Sequence, residues 1–302
     1  SGLTTTGATV IEGIDFLPHS VQFYRQQLQW LGGMGIIVLA VAILPILGVG
    51  GMQLYRAETP GPVKDNKMTP RIADTAKHLW YIYLSITIAC AGAYWLAGMN
   101  VFDSICHAFS TVAIGGFSNH DASLGYFNSP MVNVVCTVFL LTAALNFSLH
   151  YAAVSSRSVK GYFKDPEFKA FFIIQASLIG ICFLVLTLSG YYTSAEQALD
   201  QAMIQAVSIS TTAGFATTDF SIWPTFLPIM LIFSSFIGGC ASSTGGGLKV
   251  VRVCLLFLQG KREVDRLIHP KAVYSVKFGD RAMPNRVVEA VWGFFSAYAV
   301  VF

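Results

Sequence analysis

Charged residues are scarce in this chain. Of its 302 residues, 12% are Asp, Glu, Lys or Arg and 54% are hydrophobic, and the mean hydropathy is +0.59. Soluble domains carry roughly 25% charged residues. The composition therefore excludes an ordinary water-soluble globule and indicates an integral membrane protein. The net charge of +3 gives no reason to expect a nucleic-acid partner.

The sequence also lacks the residue pairs that enzymes and metal sites need. Its six cysteines form no C-x-x-C pair and lie mostly in apolar stretches, which favours packing roles over a metal site or disulfide framework. His107 and His150 have no carboxylate or cysteine at ligand spacing, so we expect packed or hydrogen-bonded histidines. GGGLK at 245–249 is not a phosphate-binding loop, because Leu248 separates Gly247 from the lysine and no strand precedes it. We predict that the protein is not an enzyme and binds no covalent cofactor.

Long apolar runs are present instead. Crossing about 30 Å of hydrocarbon takes about 20 helical residues, and four segments reach that length: 26–47, 78–98, 129–154 and 168–190. The segments 101–113 and 195–211 are too short to cross, and each runs into a polar loop. The chain begins inside a similar polar loop and ends inside an apolar segment that starts near Val287, so we expect a fragment.

The basic residues set the orientation. Eighteen of the 19 Lys and Arg residues fall in three blocks, at 56–77, 157–169 and 249–286, and only Arg25 lies elsewhere. Basic loops stay in the cytoplasm. The polar loops, which carry the acidic residues, are therefore predicted to open toward the outside.

Three polar loops mark an internal repeat. They centre on Gly7, Gly116 and Gly214, which are 109 and 98 residues apart. Each predicted unit contains a spanning helix, a short helix that enters without crossing, a glycine-centred loop and a second spanning helix. The unit boundaries are as follows: the end of repeat 1 at 1–77, repeat 2 at 78–167, repeat 3 at 168–286 and the start of repeat 4 at 287–302.

The loops suit an ion filter. Irregular backbone at membrane depth is tolerated only where protein buries it or water reaches it, so three such loops imply a shared aqueous axis. Backbone carbonyls facing that axis can replace the water shell of an ion, and glycine permits the required backbone angles. The short helices end at the loops, where their negative dipole ends favour a cation.

A second glycine-rich segment follows the third loop. The apolar run 224–237 provides only 14 helical residues, about 21 Å, and five glycines then fall within 238–247. We expect the helix to break at membrane depth, with a mobile gate below the filter; the alternative is a plain cytoplasmic loop. Lys249 either repels cations at the inner mouth or is an ordinary cytoplasmic lysine. The predicted gate residues are Gly238, Gly239, Gly245, Gly246, Gly247 and Lys249.

These motifs resemble the TrkH/KtrB potassium transporter family. The matching stretches are TTTGA (4–8), AIGGF (113–117), TTAGF (211–215) and GGCASSTGGGLK (238–249). The resemblance implies an all-α integral membrane fold with four potassium-channel-like units around a pseudo-fourfold pore, of which the first helices and the end of the fourth unit are absent. It also implies nine filter residues with K⁺-coordinating carbonyls: Thr5, Thr6, Gly7, Ile114, Gly115, Gly116, Thr212, Ala213 and Gly214.

The same resemblance implies the setting. It predicts a bacterial inner-membrane protein in contact with lipid, a homodimer, and a cytoplasmic ring of TrkA-type regulatory subunits that binds the nucleotide. The transported ion would be K⁺. In plant relatives a serine in place of a filter glycine is associated with Na⁺ passage, and all three glycines are intact here.

Other functions compete with a passive K⁺ pathway. The closest is a symporter that couples K⁺ to H⁺ or Na⁺, although the apolar segments lack the paired acidic residues that usually mark proton relays. A membrane-embedded hydrolase would need a nucleophile–base or metal-ligand pair at membrane depth, and none is visible. A scaffold without a pore would not explain why three polar loops occur at equivalent positions of the repeat.

Overall fold

The described part of the chain is mostly helical. A computed structural model describes residues 1–38, 72–224, 226–269, 272, 274–279 and 281–301. These residues form α1 (His19–Val38), α2 (Ile72–Leu96), α3 (Val101–Val112), α4 (Pro130–Ala143), α5 (Phe147–Ser156), α6 (Lys160–Lys164), α7 (Pro166–Leu188), α8 (Ala195–Ser210), α9 (Leu227–Ser235), α10 (Val250–Ile268) and α11 (Asn285–Val301). Three short 3₁₀ helices cover Ile14–Phe16, Ser123–Phe127 and Phe220–Ile222, and the strands β1 (Lys277–Phe278) and β2 (Arg281–Ala282) form an antiparallel hairpin.

Two helices in the described residues are long and apolar enough to cross a membrane. They are Lys77–Leu96 within α2, and α7. The predicted span 26–47 extends past the described residues, and α1 already begins at His19. The described helices fit the predicted all-α membrane class, with the two-stranded hairpin as a small addition.

The segment 129–154 differs from its prediction as one helix. It forms α4 and α5, which together meet the same length and composition criteria but are bent by 88°. At the break the side chain of Asn146 accepts the N–H of Ser148 at 2.8 Å, which starts a new helix. The carbonyl of Ala144 accepts the N–H of Cys240 at 2.8 Å. The bend is therefore stabilised by a distant loop, a contact that hydropathy cannot reveal.

The two short helices have equivalent surroundings. Helix α3 packs against α1, α2 and α4, and α8 packs against α4, α7 and α9. Each thus contacts the helix before it, the helix after it and an earlier helix. Side-chain caps fix both starts: Asn100 accepts the N–H of Asp103 and Ser194 accepts the N–H of Gln197.

The largest apolar core surrounds these short helices. Five of its aromatic side chains are almost fully buried: Tyr83, Tyr94, Phe147, Phe171 and Phe215. All six cysteines are free, and five of them are buried, in agreement with packing roles. The core holds the C-terminal ends of α3 and α8 in place, and the polar loops begin there.

Candidate functional site

The three polar loops share one backbone conformation. In each loop a non-glycine residue has a left-handed φ, and the glycine two positions later has one as well. The first residues are Thr5 (φ 53°), Ile114 (52°) and Thr212 (70°), and the glycines are Gly7 (74°), Gly116 (76°) and Gly214 (86°). The repeat seen in the sequence is therefore also a repeat of backbone geometry.

Each loop begins with the same pair of hydrogen bonds. In the second loop the N–H of Gly115 donates to Ser110 O at 2.9 Å and the N–H of Ile114 donates to Thr111 O at 3.0 Å. This is the Schellman ending of a helix. The equivalent bonds elsewhere are Thr6 N to Ser1 O (3.1 Å), Thr5 N to Gly2 O (3.0 Å), Ala213 N to Ser208 O (2.8 Å) and Thr212 N to Ile209 O (3.0 Å).

The left-handed residue of this motif is normally glycine. Here it is β-branched in all three loops, namely Thr5, Ile114 and Thr212. A β-branched residue with positive φ is a genuine outlier, and such strain costs on the order of 1–3 kcal/mol and gathers at functional sites. Its occurrence at the same position in three loops points to a shared function.

Neighbouring loops touch where the glycines lie. A Cβ added at Gly7 would overlap the carbonyl oxygen of Gly115, and one at Gly116 would overlap that of Ala213. The first loop therefore lies against the second, and the second against the third, through the same pair of positions. Around Gly214 no described atom lies within 4 Å of an added Cβ.

A cavity of about 310 Å³ lies between the first and third loops. Its lining is formed by Thr6, Gly7, Ala8, Ile209, Thr212, Ala213, Gly214 and Ser235. Five of the nine filter residues thus border one open space. The other four, Thr5, Ile114, Gly115 and Gly116, do not line it, although Gly115 and Gly116 contact the bordering loops.

A glutamine behind the second loop was not anticipated from the sequence. Gln29 of α1 is fully buried. Its Nε2 donates to Gly115 O at 2.6 Å, and its Oε1 accepts from Ser110 Oγ at 2.7 Å and from Phe117 N at 3.2 Å. The amide therefore holds both sides of the loop around Gly116, and the carbonyl of Gly115 is engaged by it.

Replacing Gln29 with leucine should loosen this loop. The change leaves Gly115 O and Phe117 N without their buried partner, which costs about 1–3 kcal/mol for each unsatisfied group. We expect a lower melting temperature and a smaller ratio of K⁺ to Na⁺ flux in reconstituted vesicles. Gln27→Leu, at a partly exposed position in the same helix, is the matched control. Equal effects of the two substitutions would contradict the role of Gln29.

The gate segment is a loop closed at its base. Past α9, the N–H groups of Leu248, Lys249 and Val250 donate to the carbonyls of Phe236 (2.8 Å), Ile237 (3.0 Å) and Gly239 (3.0 Å). At this base Gly238 and Gly247 both have positive φ, and a Cβ on Gly247 would lie 2.8 Å from the nitrogen of Gly238. The loop 238–249 is named the gate loop. It needs glycine in both of its limbs, the backbone stretches by which the chain enters and leaves the loop.

The gate loop contacts the third polar loop and the end of α3 directly. The N–H of Gly246 donates to Thr212 Oγ1 at 2.8 Å. Thr244 Oγ1 donates to Val112 O at 3.0 Å, at the end of α3. The ammonium group of Lys249 donates to the carbonyl of Gly245 within the loop. Of the predicted gate residues, Gly245 and Gly246 therefore lie next to the third polar loop.

Acidic residues and histidines lie near the first and second polar loops. His120 bridges two carboxylates, with Nδ1 at 2.5 Å from Asp15 Oδ1 and Nε2 at 3.3 Å from Asp103 Oδ2. The hydrogen bond from His120 holds the pKa of Asp15 below its usual value. This bridge connects the residues after the first loop to those after the second.

Both histidines expected to have structural roles are hydrogen-bonded. His107 Nδ1 lies 2.9 Å from Asp103 O, and Nε2 lies 2.9 Å from Ser118 Oγ. His150 Nδ1 lies 2.6 Å from Tyr162 OH. In the part of the chain that the structure describes, no group of three or more His, Cys, Asp or Glu side chains could hold a metal ion.

The chain belongs to the TrkH family of cation transport proteins, whose family model matches residues 1–302. It is 68% identical to the Trk system potassium uptake protein TrkH of Vibrio parahaemolyticus over 304 residues, covering 100% of this chain and 63% of that protein. With the TrkH protein of Escherichia coli K12 the identity is 63%, over 100% of this chain and 62% of the relative. The resemblance predicted from the loops is confirmed.

The fold has a solved counterpart. The crystal structure of the potassium transporter TrkH from Vibrio parahaemolyticus matches with a TM-score of 0.89 and 63% identity, over 99% of this chain and 61% of that chain. The chain thus spans less than two thirds of the length of these relatives. The relatives are named as uptake transporters, and the family is not one of enzymes.

Proposed function

We propose that this protein translocates K⁺ across a membrane through a filter of backbone carbonyls, with K⁺ as the transported substrate. The observation that carries the proposal is the same left-handed pair of residues in three loops that contact one another. The named activity of the relatives, potassium uptake, supports the choice of ion.

The backbone geometry supports carbonyl coordination. Carbonyls that face a shared axis can replace the water shell of an ion, as in potassium-channel filters, and the repeated left-handed residues give the three loops the same backbone arrangement. Helices α3 and α8 end at Val112 and Ser210, immediately before their loops. The negative ends of their helix dipoles favour a cation there. The nine predicted filter residues are the proposed K⁺ site, within the proposed four-unit pore, and the carbonyl of Gly115 shares its lone pairs with Gln29 Nε2.

The gate loop is the proposed barrier below the filter. It hydrogen-bonds to Thr212 and to the end of α3, and Lys249 places a positive charge against its carbonyls. Both features favour a closed position that blocks ions until the loop moves aside. Its many glycines leave few side chains to anchor it, which suits a movable segment.

The membrane location, the orientation and the partner subunits of the protein are also proposals. The basic blocks support an inner-membrane protein with its filter loops toward the outside. The Trk system named for the relatives supports further subunits, proposed as a second copy of this protein and a nucleotide-binding TrkA-type ring. The exposed apolar side chains of α7 support contact with lipid.

A flux measurement on the full-length protein in proteoliposomes tests the filter. We expect K⁺ and Rb⁺ to pass and Na⁺ to lag, and Gly214→Ser to lose that preference because serine is strained at a φ of 86°. Gly190→Ser is the matched control, since Gly190 also has a positive φ (63°) and free space around it but lies outside the loops. Unchanged selectivity in Gly214→Ser would exclude these loops as the filter.

The same vesicles separate a passive pathway from a symporter. An imposed proton gradient at clamped membrane voltage should leave K⁺ flux unchanged if the pathway is passive. A flux that follows the gradient would favour coupled K⁺ transport.

A further inference from the structure

A buried carboxylate lies beside the gate loop and is used by none of the contacts described above. Glu167, in the first turn of α7, is 6% exposed. The long apolar segments gave no reason to expect a functional acidic group at this position. Buried ionisable residues in membrane proteins are costly, and they usually have a function.

One oxygen of this carboxylate contacts two parts of the gate region. Glu167 Oε1 accepts the N–H of Ala241 at 2.7 Å and the N–H of Val251 at 3.2 Å. Ala241 lies in the first limb of the gate loop, and Val251 lies in the first turn of α10, directly after the second limb.

The position of Glu167 is fixed from both directions. Asp165 caps α7 by accepting the N–H of Phe168 at 2.8 Å, and Pro166 occupies the first helical position, which it favours. On the other side, the N–H of Val251 is one of the unpaired donors at the start of α10, where a negative charge is favourable.

We infer that Glu167 is a positioning residue of the gate, which holds the first limb of the gate loop and the start of α10 against α7 and so keeps the loop under the filter. The inference rests on the proposed function of the gate loop. It differs from simple helix capping because the carboxylate contacts the loop and α10 together. Removing it should therefore change gating without changing ion preference.

Cys240 is a native reporter for this test. It precedes Ala241, is 1% exposed and is free. In the full-length protein, the rate at which a small maleimide alkylates Cys240, followed by peptide mass spectrometry, reports loosening of the loop. Basal K⁺ flux into proteoliposomes is measured on the same samples, together with the ratio of K⁺ to Na⁺ flux.

For Glu167→Ala we expect alkylation of Cys240 and basal K⁺ flux both to rise at least about tenfold, since two buried N–H groups lose their acceptor. Glu167→Gln retains an acceptor oxygen and should give smaller rises. The K⁺/Na⁺ ratio should stay at its wild-type value in both. Glu196→Ala, at an exposed glutamate in the first turn of α8, is the matched control and should change neither quantity.

If Glu167→Ala does not fold, Glu167→Asp replaces it, because the shorter side chain withdraws the acceptor oxygen and keeps the charge. Wild-type alkylation and wild-type flux in the folded variant would overturn the inference, and so would an altered K⁺/Na⁺ ratio. Faster alkylation with unchanged flux would support the anchoring by Glu167 but contradict the proposed gate.

Discussion

Replacing Gly116 with alanine is expected to abolish selective K⁺ flux through a folded protein. The residue has a φ of 76°, and an added Cβ would overlap the carbonyl oxygen of Ala213 in the neighbouring loop. Backbone strain of this kind costs about 1–3 kcal/mol, which is about a 5- to 150-fold change in an equilibrium. The overlap adds to this energy, because the backbone of the third loop must shift to make room for the Cβ atom.

The measurement is K⁺, Rb⁺ and Na⁺ flux in proteoliposomes, with a thermal unfolding curve for each sample. Gly98→Ala is the matched control, since Gly98 also has a positive φ (105°) but no atom within 4 Å of an added Cβ. Both variants should lose some stability, and only Gly116→Ala should lose selectivity. Wild-type selectivity in Gly116→Ala would show that the contact between the second and third loops is not part of the filter.

The sequence indicated the outline of this site because its signals are local. The interrupted apolar runs located α3, α8 and the break after α9, and the glycines marked the loops. Each of these features depends on residues close in the chain, and hydropathy and glycine content report such features directly.

The sequence did not indicate the left-handed residues that precede the glycines. Intrinsic preference argues against positive φ at Thr5, Ile114 and Thr212, because β-branched side chains disfavour it. The conformation is maintained by hydrogen bonds back to the preceding helical turn and by packing between loops. No local sequence pattern predicts that these contacts outweigh the backbone strain.

Long-range polar contacts were equally hidden. Gln29 reaches Gly115 across 86 residues, and Glu167 reaches Ala241 across 74. In the sequence both residues look like ordinary polar positions near helix ends. Their partners are backbone groups, which carry no residue type, so no motif could have paired them. The bend between α4 and α5 was missed for a similar reason, since its partner, Cys240, lies in the gate loop.

Replacing Gly245, Gly246 and Gly247 together with alanine is expected to open the gate. Added Cβ atoms would lie 3.1 Å from Thr211 O, 2.9 Å from Thr212 Oγ1 and 2.8 Å from Gly238 N, respectively. Gly247 also has a φ of 77°. The alanines therefore do not fit the loop as it lies under the filter, and the closed position should lose about 1–3 kcal/mol at Gly247 alone. Basal K⁺ flux should rise roughly tenfold or more.

Two comparisons distinguish opening of the gate from a general loss of folded structure. Gly260→Ala in α10, where an added Cβ meets no atom within 4 Å, should leave the basal flux at its wild-type value. In the triple variant the ratio of K⁺ to Na⁺ flux should also be unchanged, because every filter residue is retained and only the segment beneath them is altered. An unchanged basal flux in a folded triple variant would contradict the gate. A raised flux with the selectivity lost would mean that the contact between Gly246 and Thr212 shapes the filter as well as closing it, so that gating and selection could not be assigned to separate parts of the chain.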